Sequence, residues 1–242
     1  MFQGCKTLSN ISHLKTLCTK GITNFSNMFS YCWRLKSIKA LKDWDVSDGT
    51  DFSGMFIKCW DISDFDNLRH WDVSKGQDFS FMFRENEKLK RLDFLQSWNV
   101  SNGKNFSFMF YFCRGLIDIK GLKNWDVSKG INFSYMFGDC DRLSSINELG
   151  FWDVSNAEDL SGMFSRCEDI KDNQELQFWN VSKSKNFYEM FYGCARLNLL
   201  PLENWDVSKG ENFGGMVMYV YSNIDCLKKW NISKEKFKEL TR

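Results

Sequence analysis

The sequence predicts an α/β repeat solenoid of about eight to nine coils of 27 residues, each with a short parallel strand and a short helical turn. Three observations carry that expectation. Trp44, Trp71, Trp98, Trp125, Trp152 and Trp179 stand 27 residues apart, and Trp205 and Trp230 follow at spacings of 26 and 25. The Met-Phe pairs that begin at Met28, Met55, Met82, Met109, Met136, Met163 and Met190 keep step, with Met216-Val217 as an altered eighth copy. Between these markers the same columns are apolar in each copy, as in Val127, Phe133, Cys140, Leu143, Ile146 and Leu149. A unit this short cannot bury its own apolar face, so copies must stack to share a core.

The elements follow in order along the unit. The column before the first Phe holds Asn24, Asp51, Asp78, Asn105, Asn132, Asp159, Asn186 and Asn212. These residue types accept N–H groups at a helix N-cap, so a helical turn is expected from there through Met-Phe. After the Cys, apolar residues recur every third position, as in Leu35, Ile38 and Leu41. That is a leucine-rich-repeat-like spacing, and a short parallel strand is expected to begin near Leu35, Leu89, Leu116 and Leu143. The Trp-Asp-Val-Ser segment then turns the chain. Residues 1–216 are assigned to the solenoid, which starts mid-coil at Met1-Phe2 and Cys5. Residues 217–242 are assigned to a degraded last coil and a capping helix within Ser233–Arg242, with Phe237 and Leu240 closing the core.

These residues resemble the BspA-like leucine-rich repeats of bacterial surface proteins, mycoplasmas, protists and large DNA viruses. The matching pieces are "WDVS" at 44–47, 71–74, 125–128, 152–155 and 205–208, the Met-Phe pair, the Cys four residues after Met, and the spaced Leu and Ile. The resemblance covers residues 1–233 and implies a right-handed solenoid with roles in adhesion, binding or surface display and no catalysis.

Composition narrows the functional classes. Lys plus Arg (32) nearly balances Asp plus Glu (31), which argues against a nucleic-acid groove or a polybasic membrane patch. No apolar run approaches a membrane span, and "MFQGCKTLSN" lacks a secretory leader, so the chain as given is expected to be cytoplasmic. Cell surface or virion is the expectation if it is a fragment or virally encoded.

Four polar columns carry the residue types of catalysis. The Asp after each Trp gives way to Asn99, Asn180 and Asn231, so the position demands an acceptor and reads as a turn fastener. Ser47, Ser74, Ser101, Ser128, Ser155, Ser182, Ser208 and Ser233 share a column, but only His13 and His70 exist as bases; the hydroxyls are expected to cap turns. The cysteine column offers no C-x-x-C pair and reads as small core filling, with Asn86 in one rung. Gly49, Gly76, Gly103, Gly130 and Gly210 alternate with Ala157 and Ser184, which points to a need for smallness rather than for a positive φ.

One column lacks a structural task. Phe81, Phe108 and Tyr135 occupy a position that is Asn27, Gly54, Gly162, Glu189 and Gly215 elsewhere, so they are expected to form an exposed stack with Tyr111 and Phe112 nearby. Exposed aromatic ladders mark partner sites. The functional expectation is therefore a non-enzymatic scaffold for protein recognition or adhesion through these five residues, with no cofactor and no metal. The alternative is a structural component of a virion or cell envelope, assembling side to side or through the open first coil as a homo-oligomer.

Overall fold

Stacked turns, rather than strands and helices, organise the chain. A computed structural model describes all 242 residues. No β-sheet forms: extended backbone is limited to isolated parallel bridges, such as Asn24 with Asp51 and Asp78 with Asn105. Helical structure consists of short 3-10 turns and one α-helix, α1 (Lys234–Glu239). The strand-containing, leucine-rich-repeat-like solenoid that the period predicted is thus not what the chain adopts. Of 126 backbone hydrogen bonds only 9 lie within helices, so turn closure and bonds between repeats hold the fold. The accessible surface of 11065 Å² is that of a compact monomer, for which roughly 11,000 Å² is normal at this mass.

The expected helical turn fails for a reason visible in the N–H groups of Phe25–Cys32. Met28, Ser30 and Cys32 donate three residues back, to the carbonyls of Phe25, Asn27 and Phe29 (3.3, 3.1 and 3.1 Å). Phe25, Asn27, Phe29 and Tyr31 instead donate to Asp51, Ser53, Met55 and Ile57 of the next repeat (2.8, 2.8, 2.9 and 2.7 Å). An α-helix would need every one of these donors for its own carbonyls four residues back. Positive φ at Asn27 (53°) and Tyr31 (63°) also takes the backbone out of the right-handed region within each unit. Asn24 caps no helix: its Oδ1 accepts from the Ser26 N–H at 2.8 Å, and Asp78 and Asn132 do the same for Ser80 and Ser134. These are Asx turns.

The expected strand fails for a different reason. Leu35, Leu41 and Trp44 donate to the carbonyls of Cys32, Ile38 and Leu41, each three residues back (3.1, 2.9 and 3.2 Å). A spacing of three is the repeat of a 3-10 turn, whereas a strand alternates every two. Short 3-10 segments duly form at Lys39–Leu41, Asp66–Leu68, Asp93–Leu95 and Lys120–Leu122.

A single core passes through all repeats and buries the Phe, Met, Cys, Leu and Trp columns. Phe25, Phe52, Phe79, Phe106 and Phe133 stack ring on ring at 5.4–5.6 Å. The tryptophans add a polar link. In the 27-residue column each indole N–H reaches a leucine carbonyl of the preceding repeat, as in Trp44 to Leu14 (3.0 Å), Trp71 to Leu41 (2.9 Å), Trp125 to Leu95 (3.0 Å) and Trp152 to Leu122 (2.9 Å). Phenylalanine would fill the space but leave that carbonyl unpaired, which explains the strict Trp column. Gly49, Gly76, Gly103 and Gly130 do not adopt positive φ; a Cβ there would overlap the ring of Phe52, Phe79, Phe106 or Phe133. Ala157 is accommodated where the residue three positions on is Leu160 instead of Phe, whereas Ser184 precedes Phe187 and is held there by its hydroxyl, which donates to the Ala157 carbonyl at 2.8 Å.

At the far end Ser233 accepts from the Lys236 N–H at 3.2 Å and starts α1. Gly215 and Val217, whose counterparts elsewhere donate to the next repeat, donate to the carbonyls of Glu239 and Leu240 at the end of this helix (2.8 and 2.9 Å). Leu240 is buried and Phe237 packs partly against the core.

Candidate functional site

The polar columns are occupied by structural bonding. Asp45, Asp72, Asn99, Asp126, Asp153, Asn180 and Asp206 each accept the backbone N–H two residues on through Oδ1, at 3.0–3.1 Å. The serine contributes that N–H, not a capping hydroxyl as expected; the hydroxyls of Ser47 and Ser182 donate to the same oxygen at 2.6 and 2.7 Å. Asp45, Asp126 and Asp206 are accordingly held below the usual carboxylate range by Ser47, Ser128 and Ser208.

The cysteines do more than fill space. Cys59, Cys113, Cys140, Cys167 and Cys194 direct their thiols at the carbonyls of Phe29, Phe83, Phe110, Phe137 and Phe164, at 3.0–3.3 Å. Asn86 meets the equivalent carbonyl of Phe56 through Nδ2 at 2.8 Å, so the column demands a donor. Burial pushes the Cys32 thiol up to about 11 and Cys113 up to about 12, and carries Cys140 and Cys167 well above the ordinary value. Protonated thiols suit a donor and oppose nucleophilic chemistry. No group of three His, Cys, Asp or Glu side chains converges as metal ligands do.

The remaining candidates lie on two columns of left-handed backbone. Asn27, Gly54, Phe81, Phe108, Tyr135, Gly162, Glu189 and Gly215 all have φ between 51° and 63°. Four residues further on, Tyr31, Lys58, Glu85, Phe112, Asp139, Arg166, Gly193 and Tyr219 have φ between 54° and 72°. Asn and Gly in the first column are thus signs of backbone geometry rather than of exposure, a signal present in the sequence and misread there. The aromatic residues are half-buried, not the exposed ladder expected. Their stacking is real: Phe81 on Phe108 at 4.9 Å and 3°, and Phe108 on Tyr135 at 5.0 Å and 11°.

Tyr111 stands edge-on to this stack, 5.4 Å from Phe108 at 75° and 6.0 Å from Tyr135 at 84°, and Phe112 lies 5.2 Å beyond it. Glycines in the next repeat make room for the rings: a Cβ on Gly162 would overlap Tyr135, and one on Gly138 would press on Tyr111. Tyr135 leans across Gly162 and donates its hydroxyl to Glu189 Oε2 at 3.1 Å, two repeats away. Phe108, Tyr111, Tyr135, Asp139, Ser165, Arg166 and Glu189 line a depression of about 440 Å³. Burial, then the neighbouring carboxylates, raise the phenols of Tyr111 and Tyr135, and burial raises Asp139.

Arg84 flanks the stack, 5.3 Å from the Tyr111 ring and 5.8 Å from that of Phe81, while bonded to Glu85 at 3.0 Å. The sequence reading named the five aromatics and missed Arg84, Asp139, Arg166 and Glu189, whose column positions gave them no pattern to stand out from. A larger groove of about 660 Å³ near Asp64, Glu87, Lys90 and Arg142 is lined by equal numbers of acids and bases and has no favoured ligand charge.

Residues 1–116, 86–199 and 143–240 each match one family model, that of a Mycoplasma protein of unknown function, DUF285. No curated protein matches the chain.

Proposed function

The chain belongs to the DUF285 family of repeat proteins, and on that premise we propose that it is a non-enzymatic scaffold that holds a protein partner. The contact face is Phe81, Phe108 and Tyr135 with Tyr111 and Phe112 beside them. The observation that carries the reading is the placement of large aromatics on left-handed backbone. A non-glycine residue there costs about 1–2 kcal/mol, and each aromatic pair returns about 0.5–1.5 kcal/mol. Partial burial of the rings adds to that return, yet Gly54 and Gly162 meet the same backbone geometry with neither the strain nor the rings. Three stacked rings left partly open to solvent on successive repeats fit a task outside folding.

The other columns support a non-enzymatic role, because their acids, serines and thiols are committed to backbone partners. The likeness of the repeat to BspA-like units, with their adhesive and binding roles, supports it too. The test is capture of protein from extract of the native source on immobilised full-length chain. Phe108→Gly and Tyr135→Gly should abolish capture of a defined partner while the chain remains folded, whereas Phe151→Ser, at an exposed aromatic outside the face, should leave it intact. Capture that survives both glycine variants would overturn the proposal.

A further inference from the structure

We propose that the depression between Tyr111 and Tyr135 receives an arginine side chain of the partner protein, held by Asp139 and Glu189. The inference rests on the recognition reading above and specifies its chemistry.

Asp139 is the one charged residue among the buried residues of the chain, at 8% exposure. Elsewhere in the chain carboxylates are answered by a cation of an adjacent repeat: Glu85, in the same column as Asp139, by Lys58 (3.2 Å), Asp61 by Lys88 (2.7 Å) and Asp118 by Arg91 (3.6 Å). None of the ion pairs includes Asp139, Glu189 or Arg166. The Tyr111 hydroxyl and the charges of Arg166 and Arg114 offset the burial of Asp139 only in part, and a cation brought directly against the carboxylate removes the remaining cost. The lining carries two carboxylates against one guanidinium, and Arg166 is exposed, with its guanidinium 5.7 Å over the Tyr192 ring. The lining therefore has one negative charge in excess, and the arginines just outside it are paired, Arg84 with Glu85 (3.0 Å) and Arg114 with Asp141 (3.6 Å).

The walls select among cations. Tyr111 and Tyr135 meet nearly at right angles, and aromatic rings attract a cation placed against them. A planar guanidinium stacks on an aromatic ring and forks onto carboxylates, which a compact ammonium cannot do. The Tyr135 hydroxyl already bonded to Glu189 orients that carboxylate.

The test uses N-acetylarginine amide as probe on the full chain, followed by NMR. Resonances of Tyr111, Tyr135 and Asp139 should shift saturably, with a dissociation constant on the order of 1 mM for so small a ligand. The uncharged N-acetylnorleucine amide should produce no saturable shift. Asp139→Asn, a residue type suited to left-handed backbone, should fold normally and weaken the probe about tenfold, one residue-scale charge contact. Glu189→Gln should act in the same direction. Equal shifts from the norleucine probe, from inorganic phosphate at Arg166, or in Asp139→Asn would overturn the assignment. Partner capture that still depends on Phe108 and Tyr135 would in that case leave the recognition face standing and remove only the arginine.

Discussion

Asn86 donates through Nδ2 to the carbonyl of Phe56 at 2.8 Å, the same contact that Cys113 makes to Phe83 through its thiol at 3.2 Å. The cysteine column is thus a column of protonated donors, and its chemistry is testable by exchange of rungs. Asn86→Ala should cost about 2 kcal/mol by leaving a buried carbonyl unpaired. Asn86→Cys should be neutral or stabilising, because it also removes the buried Oδ1 that has no partner. Chemical denaturation of the two variants checks both.

Thiol titration probes the same column from another side. In the folded protein a thiol-specific reagent should label the exposed Cys5 and Cys18 quickly, while Cys59, Cys113, Cys140, Cys167 and Cys194 stay unlabelled. Their labelling rate should follow global unfolding. Rapid modification of any of them in native conditions would contradict the donor role.

Gly130 and Phe133 form a steric pair, and Ala157 with Leu160 is the chain's own alternative to it. Gly130→Ala should destabilise by about 2 kcal/mol through overpacking. Adding Phe133→Leu should recover part of that loss, for a coupling of about 1 kcal/mol in a double-mutant cycle. Additive effects would show that the glycine is needed for another reason.

Backbone strain away from the proposed contact face can be relieved. Lys58 has φ of 54°, pairs with Glu85 at 3.2 Å and lies 5.4 Å over the Tyr31 ring, both partly exposed contacts. Lys58→Gly should raise stability by about 0.5–1 kcal/mol, since the strain removed exceeds a weak surface pair. Thermal unfolding reads the result, and a loss of stability would mean the left-handed column is less strained than its φ implies.

Acid sensitivity follows from the Asx turns. Asp126 and Asp206 titrate below the usual carboxylate range because Ser128 and Ser208 bond to them. A depressed folded value contributes stability above the unfolded value, about pH 3.9, and that contribution is lost as pH falls through the folded one. Asp139 has the opposite sign: burial raises it, so its ionisation weakens the fold as pH rises through its folded value. Asp126→Asn and Asp206→Asn should therefore flatten the acid limb of a stability profile. Asp139→Asn should stabilise near pH 7, with the gain shrinking as pH falls through the raised folded value of Asp139 and gone below about pH 3.9.

Much of this architecture was legible in the period and the column chemistry, and the misreadings have definite physical sources. The repeat length, the inward columns and the Asx role of Asp126 follow from residue type alone. The strand expected at Leu35–Leu41 does not form because a three-residue spacing equals the 3-10 period, not the two-residue alternation of a strand. The helical turn after Asn24 was misplaced because Asx residues serve turns and caps alike; what separates them is the destination of Phe25, Asn27 and Phe29 N–H groups, a property of the neighbouring repeat. At the candidate site, stacking of Phe81, Phe108 and Tyr135 could be read from their column. The burial of Asp139 and the reach of Tyr135 to Glu189 across two repeats could not, because both depend on Gly138 and Gly162 lying beside the rings.

The two bonds from Gly215 and Val217 to the end of α1 have a directional consequence. Each repeat presents a row of N–H donors on one side, and any row left open is a template onto which another chain could add, as a monomer adds to a growing polymer. Helix α1 acts there as a chain terminator: it takes up the two central donors of the row, Gly215 and Val217, with carbonyls and covers the apolar end with Leu240. A variant whose helix is unlatched, such as Leu240→Asp, should form end-to-end oligomers that grow with concentration, while the parent chain stays single at that end.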